Sequence, residues 1–267
     1  MPLYGDTHLH SSFSTDSDTP PEENIEMAIE KDLAYLCMTD HLDWDYPVEG
    51  EFFDFSVPDY FVKMKELKAK YASKIKLLIG VEMGMQSHLG SRYDKLIQDN
   101  PFDYVIASQH LVYNKDPWYP ETFEGVEERQ LYRSYFEETL ENLRSFKKYD
   151  ALGHLDYIFR YGKESRTYHY YEYADVLDEI LKLLICRNKA LEVNTAGIRK
   201  RLGAPNPSAE VLKRYRELGG TLVTLGSDSH KPFSIGYAFE ETVALLRQLG
   251  FTHVVYYEQH NPRFVKI

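Results

Sequence analysis

Seven times along this chain a short β-type run gives way to a helical one, and that alternation limits the fold more than any other feature. YGDTHL precedes NIEMAIEKD, AYLCMTDHL precedes DYFVKMKELKAKYAS, IKLLIGVEM precedes SRYDKLIQD, and FDYVIASQHL precedes a long helical run from 128 to 146. The pattern continues through ALGHLDYI, ALEVNTAG and GTLVTLGSDSH, each with its helix, and THVVYYEQ supplies a last strand-like run. Repeated βα units place successive strands parallel, so the expected architecture is an α/β, TIM-like barrel, closed or nearly closed. In SAEVLKRYREL, Val211, Leu212, Tyr215 and Leu218 fall on one helix face, as core packing requires. The length of 267 residues fits one large domain, and no linker or repeat divides it, so residues 1–267 read as a single unit. The longest irregular stretch, Tyr113 to Gly125, is either a loop at the barrel mouth or a packed surface loop.

Polar residues of metal-binding type recur where each β-type run ends. His8 and His10 follow the first run, Asp40 and His41 the second, Glu82 the third and His110 the fourth. His154 lies in the fifth, Asn194 closes the sixth, and Asp228 with His230 closes the seventh. Parallel barrels bring the C-terminal ends of their strands to one mouth, so these residues converge. A single histidine at a strand end is usually a packed polar residue, but six of the ten histidines at one topological position are not explained that way. His88, His169, His253 and His260 have no such placement. In His8-Leu9-His10 and Asp228-Ser229-His230, residues two apart share one side of an extended chain and can reach one ion. Imidazoles suit zinc, iron or manganese, and carboxylates add oxygen ligands that bridge ions.

Charge narrows the partners. A formal net charge of −11, with no basic cluster longer than Arg199-Lys200-Arg201, excludes a nucleic-acid surface. No apolar run approaches the ~18–20 residues of a membrane span. The opening MPLYGDTHLH has neither basic nor apolar signal regions, so the cytoplasm is the expected location. Cys37 and Cys186 lie in apolar segments and read as two buried thiols. Nothing in the sequence sets an oligomeric state.

As a set, Asp6-Thr7-His8-Leu9-His10-Ser11, Thr39-Asp40-His41, Gly80-Val81-Glu82, Ser108-Gln109-His110, Gly153-His154-Leu155-Asp156 and Gly226-Ser227-Asp228-Ser229-His230 resemble the successive motifs of the polymerase-and-histidinol-phosphatase (PHP) superfamily. The resemblance implies a distorted (β/α)7 barrel with three divalent metal ions. It places His8, His10, Glu82 and Asp228 on one ion, Glu82 with His110 and His154 on a second, and Asp16, His41 and His230 on a third. Some relatives carry histidine where this chain has Asp16. The length, HSSFSTDS, HLDYIFRYG and LEVNTAGIRK are most similar to the PHP-type histidinol-phosphate phosphatases. The implied reaction is hydrolysis of a phosphate monoester by water that the ions acidify from a pKa of ~15.7 toward ~7. Asp228 then orients the nucleophile, Asp43 is a candidate acid for the leaving group, and Arg160 and Arg199 clamp the phosphate. Lys200 and Arg201 are expected to face solvent. Three carboxylates against three divalent ions leave a local charge near about +3, which attracts a small phosphorylated substrate despite the acidic chain. The alternatives are a PHP phosphoesterase for another ester, such as a nucleotide or phosphotyrosine, and a non-catalytic metal-binding module.

Overall fold

The computed structural model describes residues 4–162, 168–200 and 202–267. The strands are β1 (Tyr35–Met38), β2 (His41–Leu42), β3 (Lys76–Gly84), β4 (Tyr104–Ser108), β5 (Ala151–Leu152), β6 (Ala190–Asn194), β7 (Val223–Gly226), β8 (His253–Glu258) and β9 (Asn261–Lys266). The helices are α1 (Pro21–Glu30), α2 (Val57–Tyr71), α3 (Gly90–Asp99), α4 (Glu128–Ser145), α5 (Ala174–Cys186), α6 (Ala196–Arg199), α7 (Ala209–Glu217) and α8 (Phe239–Gln248). β1, β3, β4, β5, β6 and β7 follow one another in a parallel sheet, with β2 extending the β1 line along β3.

The first β-type run is the missing stave. Asp6 N donates to Tyr35 O and Cys37 N donates to Asp6 O on one side. On the other, Thr7 N donates to Leu225 O, Asp228 N to His8 O and His10 N to Ser229 O. Residues 6–10 thereby join the first and last parallel strands and close the barrel. Their pairing is reduced to isolated bridges and β5 to two residues, which is where the barrel departs from regularity.

Strand side chains alternate between two faces, and both faces are covered. One parity, including Leu36, Ile79, Val81, Val105, Leu152 and Val193, packs under the helices. The other parity forms a separate interior cluster of Tyr35, Cys37, Leu78, Tyr104, Ile106, Ala151 and Ala190. The last strand-like run does not become an eighth stave. β8 pairs antiparallel with β9, and Val255 and Tyr257 enter that interior cluster at the N-terminal ends of the strands. Tyr257 stacks on Tyr104 at 5.4 Å, and Tyr256 packs at a tilt on Tyr35 at 4.2 Å. The hairpin is a plug at the barrel floor. Along the same inward parity toward the C-terminal ends, the side chains turn polar, through Glu82, Ser108, Glu192 and Asn194, all buried.

Of the two thiols, Cys37 is buried as expected, but Cys186 is exposed. The buried stripe of α5 runs through Val176, Leu177, Ile180, Leu181 and Leu184, and position 186 lies off it at the helix end. On α7, Val211, Leu212 and Tyr215 are buried and Leu218 is half-buried just past the last turn. No helix among the described residues is long and apolar enough to cross a membrane.

Candidate metal centre

Glu82 stands at the middle of the site because the inward parity of β3 carries it there, fully buried. Its two oxygens face two different sets of imidazoles. Oε2 lies 3.1 Å from His8 Nε2, 3.5 Å from His10 Nε2 and 3.1 Å from His41 Nδ1. Oε1 lies 3.2 Å from His110 Nε2 and 2.9 Å from His154 Nε2, and accepts a 2.6 Å hydrogen bond from the Ser108 hydroxyl. Asp228 brings Oδ1 to 3.4 Å from His10 Nε2 and 3.9 Å from His8 Nε2. Its φ of 51° is in the left-handed region, a conformation that a non-glycine residue adopts at a cost and that is common where side chains are aimed for function.

Farther out, Asp16 Oδ2 lies 2.8 Å from His230 Nε2 and 3.7 Å from His41 Nε2. The rings of His41 and His230 each stack on His10 at 4.2 Å.

These spacings fit metal ligation. Nitrogen ligands ~2.0–2.1 Å from a tetrahedral ion lie roughly 3.3 Å from one another. His8 Nε2, His10 Nε2, His41 Nδ1 and Glu82 Oε2 are buried without hydrogen-bond partners although they crowd together, which is costly unless something fills the space between them. Groups of mutually close ligand atoms include His8, His10 and Glu82, then Glu82, His110 and His154, then His10, His41 and His230.

The field within the cluster is strong. Burial alone would raise the Glu82 carboxyl, but His8, His41 and His110 outweigh it and hold the group well below the usual range. Asp228 is likewise held down, against burial, by His10 and Arg160. Burial and the neighbouring His230 and His41 push His10 down to about 3, so it offers an unprotonated nitrogen. In His8, burial acts to lower the pKa, yet Glu192 and Glu82 overcome it and the net shift is upward.

An outer ring of acceptors fixes the imidazoles. His8 Nδ1 donates to Glu192 Oε1 at 2.5 Å, while Glu192 Oε2 accepts from His154 N at 2.8 Å and Asn194 Nδ2 at 3.1 Å. His110 Nδ1 donates to Asp43 Oδ2 at 2.5 Å, and Asp43 Oδ1 accepts from Gly84 N at 3.0 Å. Such carboxylate partners set the tautomer and orientation of a ligating histidine. Gly226 is required by this crowding, because a Cβ there would lie 2.5 Å from His8 Cβ and 2.6 Å from Glu192 Oε1.

Arg160 is buried, with Nη1 donating to Asp228 Oδ2 at 2.9 Å, Nη2 to Asn194 Oδ1 at 3.1 Å and Nε to Asn206 Oδ1 at 3.0 Å. Arg199 donates from Nη2 to Asp228 O at 2.8 Å. Both line one cavity of about 470 Å³ together with Asp16, His41, Asp43, His110, His154, Asp228 and His230. Lys200 is exposed, as expected, but also lines that cavity, and Arg201 lies outside the described residues. The segment from Tyr113 to Gly125 is at the mouth, contributing Asp116, Trp118 and Tyr119 to the cavity wall. His88, His169 and His260 pair with Asp45, Glu210 and Asp150 away from the cavity, and His253 also lies outside it.

All the expected ligand positions therefore meet. Sequence reasoning did not single out Glu192 or Asn206. Glu192 had a visible signal, a charged residue between Leu191 and Val193 in an otherwise apolar strand run, at the same parity as Asn194. Asn206 had none, since it reaches Arg160 from a loop. The added carboxylates of Glu192 and Asp43 are matched in number by the guanidiniums of Arg160 and Arg199.

The profile of the PHP domain matches residues 6–196. The chain belongs to the PHP domain family. This chain is 37% identical to the probable histidinol-phosphatase of Clostridium acetobutylicum, over 94% of this chain and 96% of that one. It is 34% identical to the histidinol-phosphatase of Lactococcus lactis subsp. lactis, over 92% and 91% of the two chains. Its fold matches the crystal structure of histidinol phosphate phosphatase from Lactococcus lactis, complexed with zinc, L-histidinol and phosphate, with a TM-score of 0.87 at 30% identity. That match covers 98% of this chain and all of the other chain.

Proposed function

We propose that this protein is a metal-dependent phosphomonoesterase that hydrolyses L-histidinol phosphate to L-histidinol and phosphate, as a cytoplasmic enzyme of histidine biosynthesis. The observation that carries the reading is the pairing, in one cavity, of a buried histidine and carboxylate cage around Glu82 with the guanidiniums of Arg160 and Arg199. Full-length similarity to histidinol-phosphatases supports the substrate.

Three divalent ions, zinc, iron or manganese, are assigned to the cage. The first would be held by His8, His10, Glu82 and Asp228, the second by Glu82, His110 and His154, and the third by Asp16, His41 and His230. The separate faces of the two Glu82 oxygens support a bridging role. When bound, such ions supply Lewis-acid charge and an acidified water at neutral pH.

The side chains do the rest. Arg160 has five N–H donors, of which its three hydrogen bonds use three, so one N–H remains on each terminal nitrogen for phosphate oxygens. Arg199 Nε is buried without a partner and completes the clamp. Arg160 also fixes Asp228 through Oδ2, which leaves Oδ1 facing His10 and His8, where it would ligate the first ion and could also accept from a water bound there. Asp43 is engaged on both oxygens, so we assign it to orienting His110 in place of protonating the leaving group.

Metal analysis combined with turnover tests this. Close to three ions per chain are expected, with hydrolysis of histidinol phosphate lost in His10→Ala and Asp228→Ala. Full turnover after complete chelation sinks the proposal. Stronger kcat/KM for a nucleotide or phosphotyrosine overturns the substrate, and intact metal loading without hydrolysis of any ester leaves the non-catalytic module.

A further inference from the structure

Asp156 is a buried carboxylate that the hydrolysis above does not use. It immediately precedes the turn Tyr157–Arg160, near enough in sequence to Arg160 for a direct ion pair. The carboxylate turns to other donors instead. Oδ2 accepts from Ser208 N at 2.9 Å and from the Tyr168 hydroxyl at 2.8 Å, and Oδ1 accepts from Asn206 Nδ2. Asn206, also buried, presents its own Oδ1 to Arg160 Nε at 3.0 Å.

An amide set between these two groups has one orientation. A carboxylate only accepts and a guanidinium only donates, so Nδ2 must face Asp156 and Oδ1 must face Arg160. The backbone of Asn206 is fixed as well, because Asn206 N donates to Asn194 O and Asn194 N to Asn206 O, both at 2.8 Å. The Asn194 side chain accepts in turn from Arg160 Nη2. Two neutral amides on chain segments locked to each other thus hold two edges of the guanidinium. Asp228 holds the third, and among the described residues it is the only carboxylate paired with Arg160. A second carboxylate there would compete with phosphate for the same planar cation, whereas an amide oxygen directs the plane and leaves the charge.

We propose that Asn206, oriented by Asp156, is a positioning residue for the phosphate clamp: it sets the plane of Arg160 through Nε without neutralising it, so that the free N–H on each terminal nitrogen meets a phosphate oxygen. The inference rests on the phosphomonoesterase reading above and adds what aims Arg160.

Calorimetric titration of the zinc-loaded protein with inorganic phosphate reads the clamp without turnover. Asn206→Ala should weaken phosphate by about ten- to a hundredfold, the cost of removing a hydrogen-bond partner from a charged group, with zinc content per chain unchanged. In an Arg160→Met background the same substitution should change phosphate affinity by less than about twofold, because a residue that acts through another is not additive with it. A general loosening of the site would cost the same in both backgrounds. Asp156→Asn keeps the shape of the buried group but no longer dictates the Asn206 amide, so a smaller loss of about three- to tenfold is expected, again only where Arg160 is present. If circular dichroism shows Asn206→Ala unfolded, Asp156→Asn carries the test. Equal losses in the two backgrounds, or wild-type phosphate affinity in the folded variant, overturn the inference, as does unchanged affinity in Arg160→Met itself. If the coupling holds while no phosphate monoester is hydrolysed, the phosphomonoesterase reading fails and the positioning of Arg160 stands.

Discussion

Glu192→Gln tests whether the outer carboxylates build the metal site or merely fill the barrel. The substitution keeps the shape and removes one charge. Glu192 accepts from His8 Nδ1 on one oxygen and from His154 N and Asn194 Nδ2 on the other. A glutamine offers one acceptor oxygen, so whichever way its amide turns, an NH2 faces either the His8 donor or the two donors on the other side. The His8 bond also loses its charge assistance, which makes such bonds roughly twice as strong as neutral ones. Loss of an outer partner of this kind typically costs about 10–100-fold in metal affinity, or about 1.4–2.8 kcal/mol. The assay is zinc titration against a chromophoric chelator, with circular dichroism to show that the variant is folded. A tenfold or greater loss of affinity at the tightest site is expected. Zinc affinity within twofold of wild type in a folded Glu192→Gln protein refutes the reasoning, because His8 would then be held without Glu192.

Zinc binding at pH 7 should release protons. In the metal-free protein burial acts to lower the pKa of His8 and His110, but Glu192 and Glu82 for the first, and Asp43 and Glu82 for the second, raise both well above the ordinary value. Both rings are then protonated at neutral pH and must lose a proton to ligate, so affinity falls as pH falls; equal binding enthalpies in buffers of different ionisation enthalpy would contradict this. One thiol per chain, Cys186, should react quickly with a thiol reagent in the native protein, while Cys37, buried and with its pKa raised by that burial, should react only on unfolding; fast reaction of both would place the plug or β1 wrongly. Tyr257→Ala should cost about 3 kcal/mol in urea unfolding by emptying the barrel floor, without changing zinc affinity. Tyr257→Phe should be neutral or stabilising, since the buried hydroxyl has no partner among the described residues.

The alternation of strand and helix runs determined the parallel barrel, and the identity of the residues at the run ends determined which side chains converge on the candidate metal centre. Both are local properties: hydrophobic periodicity sets the element, and a parallel barrel sends every strand end to one mouth, so His8, His41, Glu82, His110, His154 and Asp228 had to meet. Only the tertiary structure decided which atoms face which. That Glu82 divides its oxygens between two sets of imidazoles depends on side-chain torsions that no spacing encodes. Arg160 reaches Asp228, Asn194 and Asn206 from three separate stretches of chain, and Asp43, close to His41 in sequence, serves His110 instead. The last strand-like run became half of a floor plug because β9 follows it within a tight turn and pairs with it antiparallel. Strand ends are fixed by the chain's own periodicity; partners across the barrel are fixed only by the packing that brings distant segments within hydrogen-bonding range.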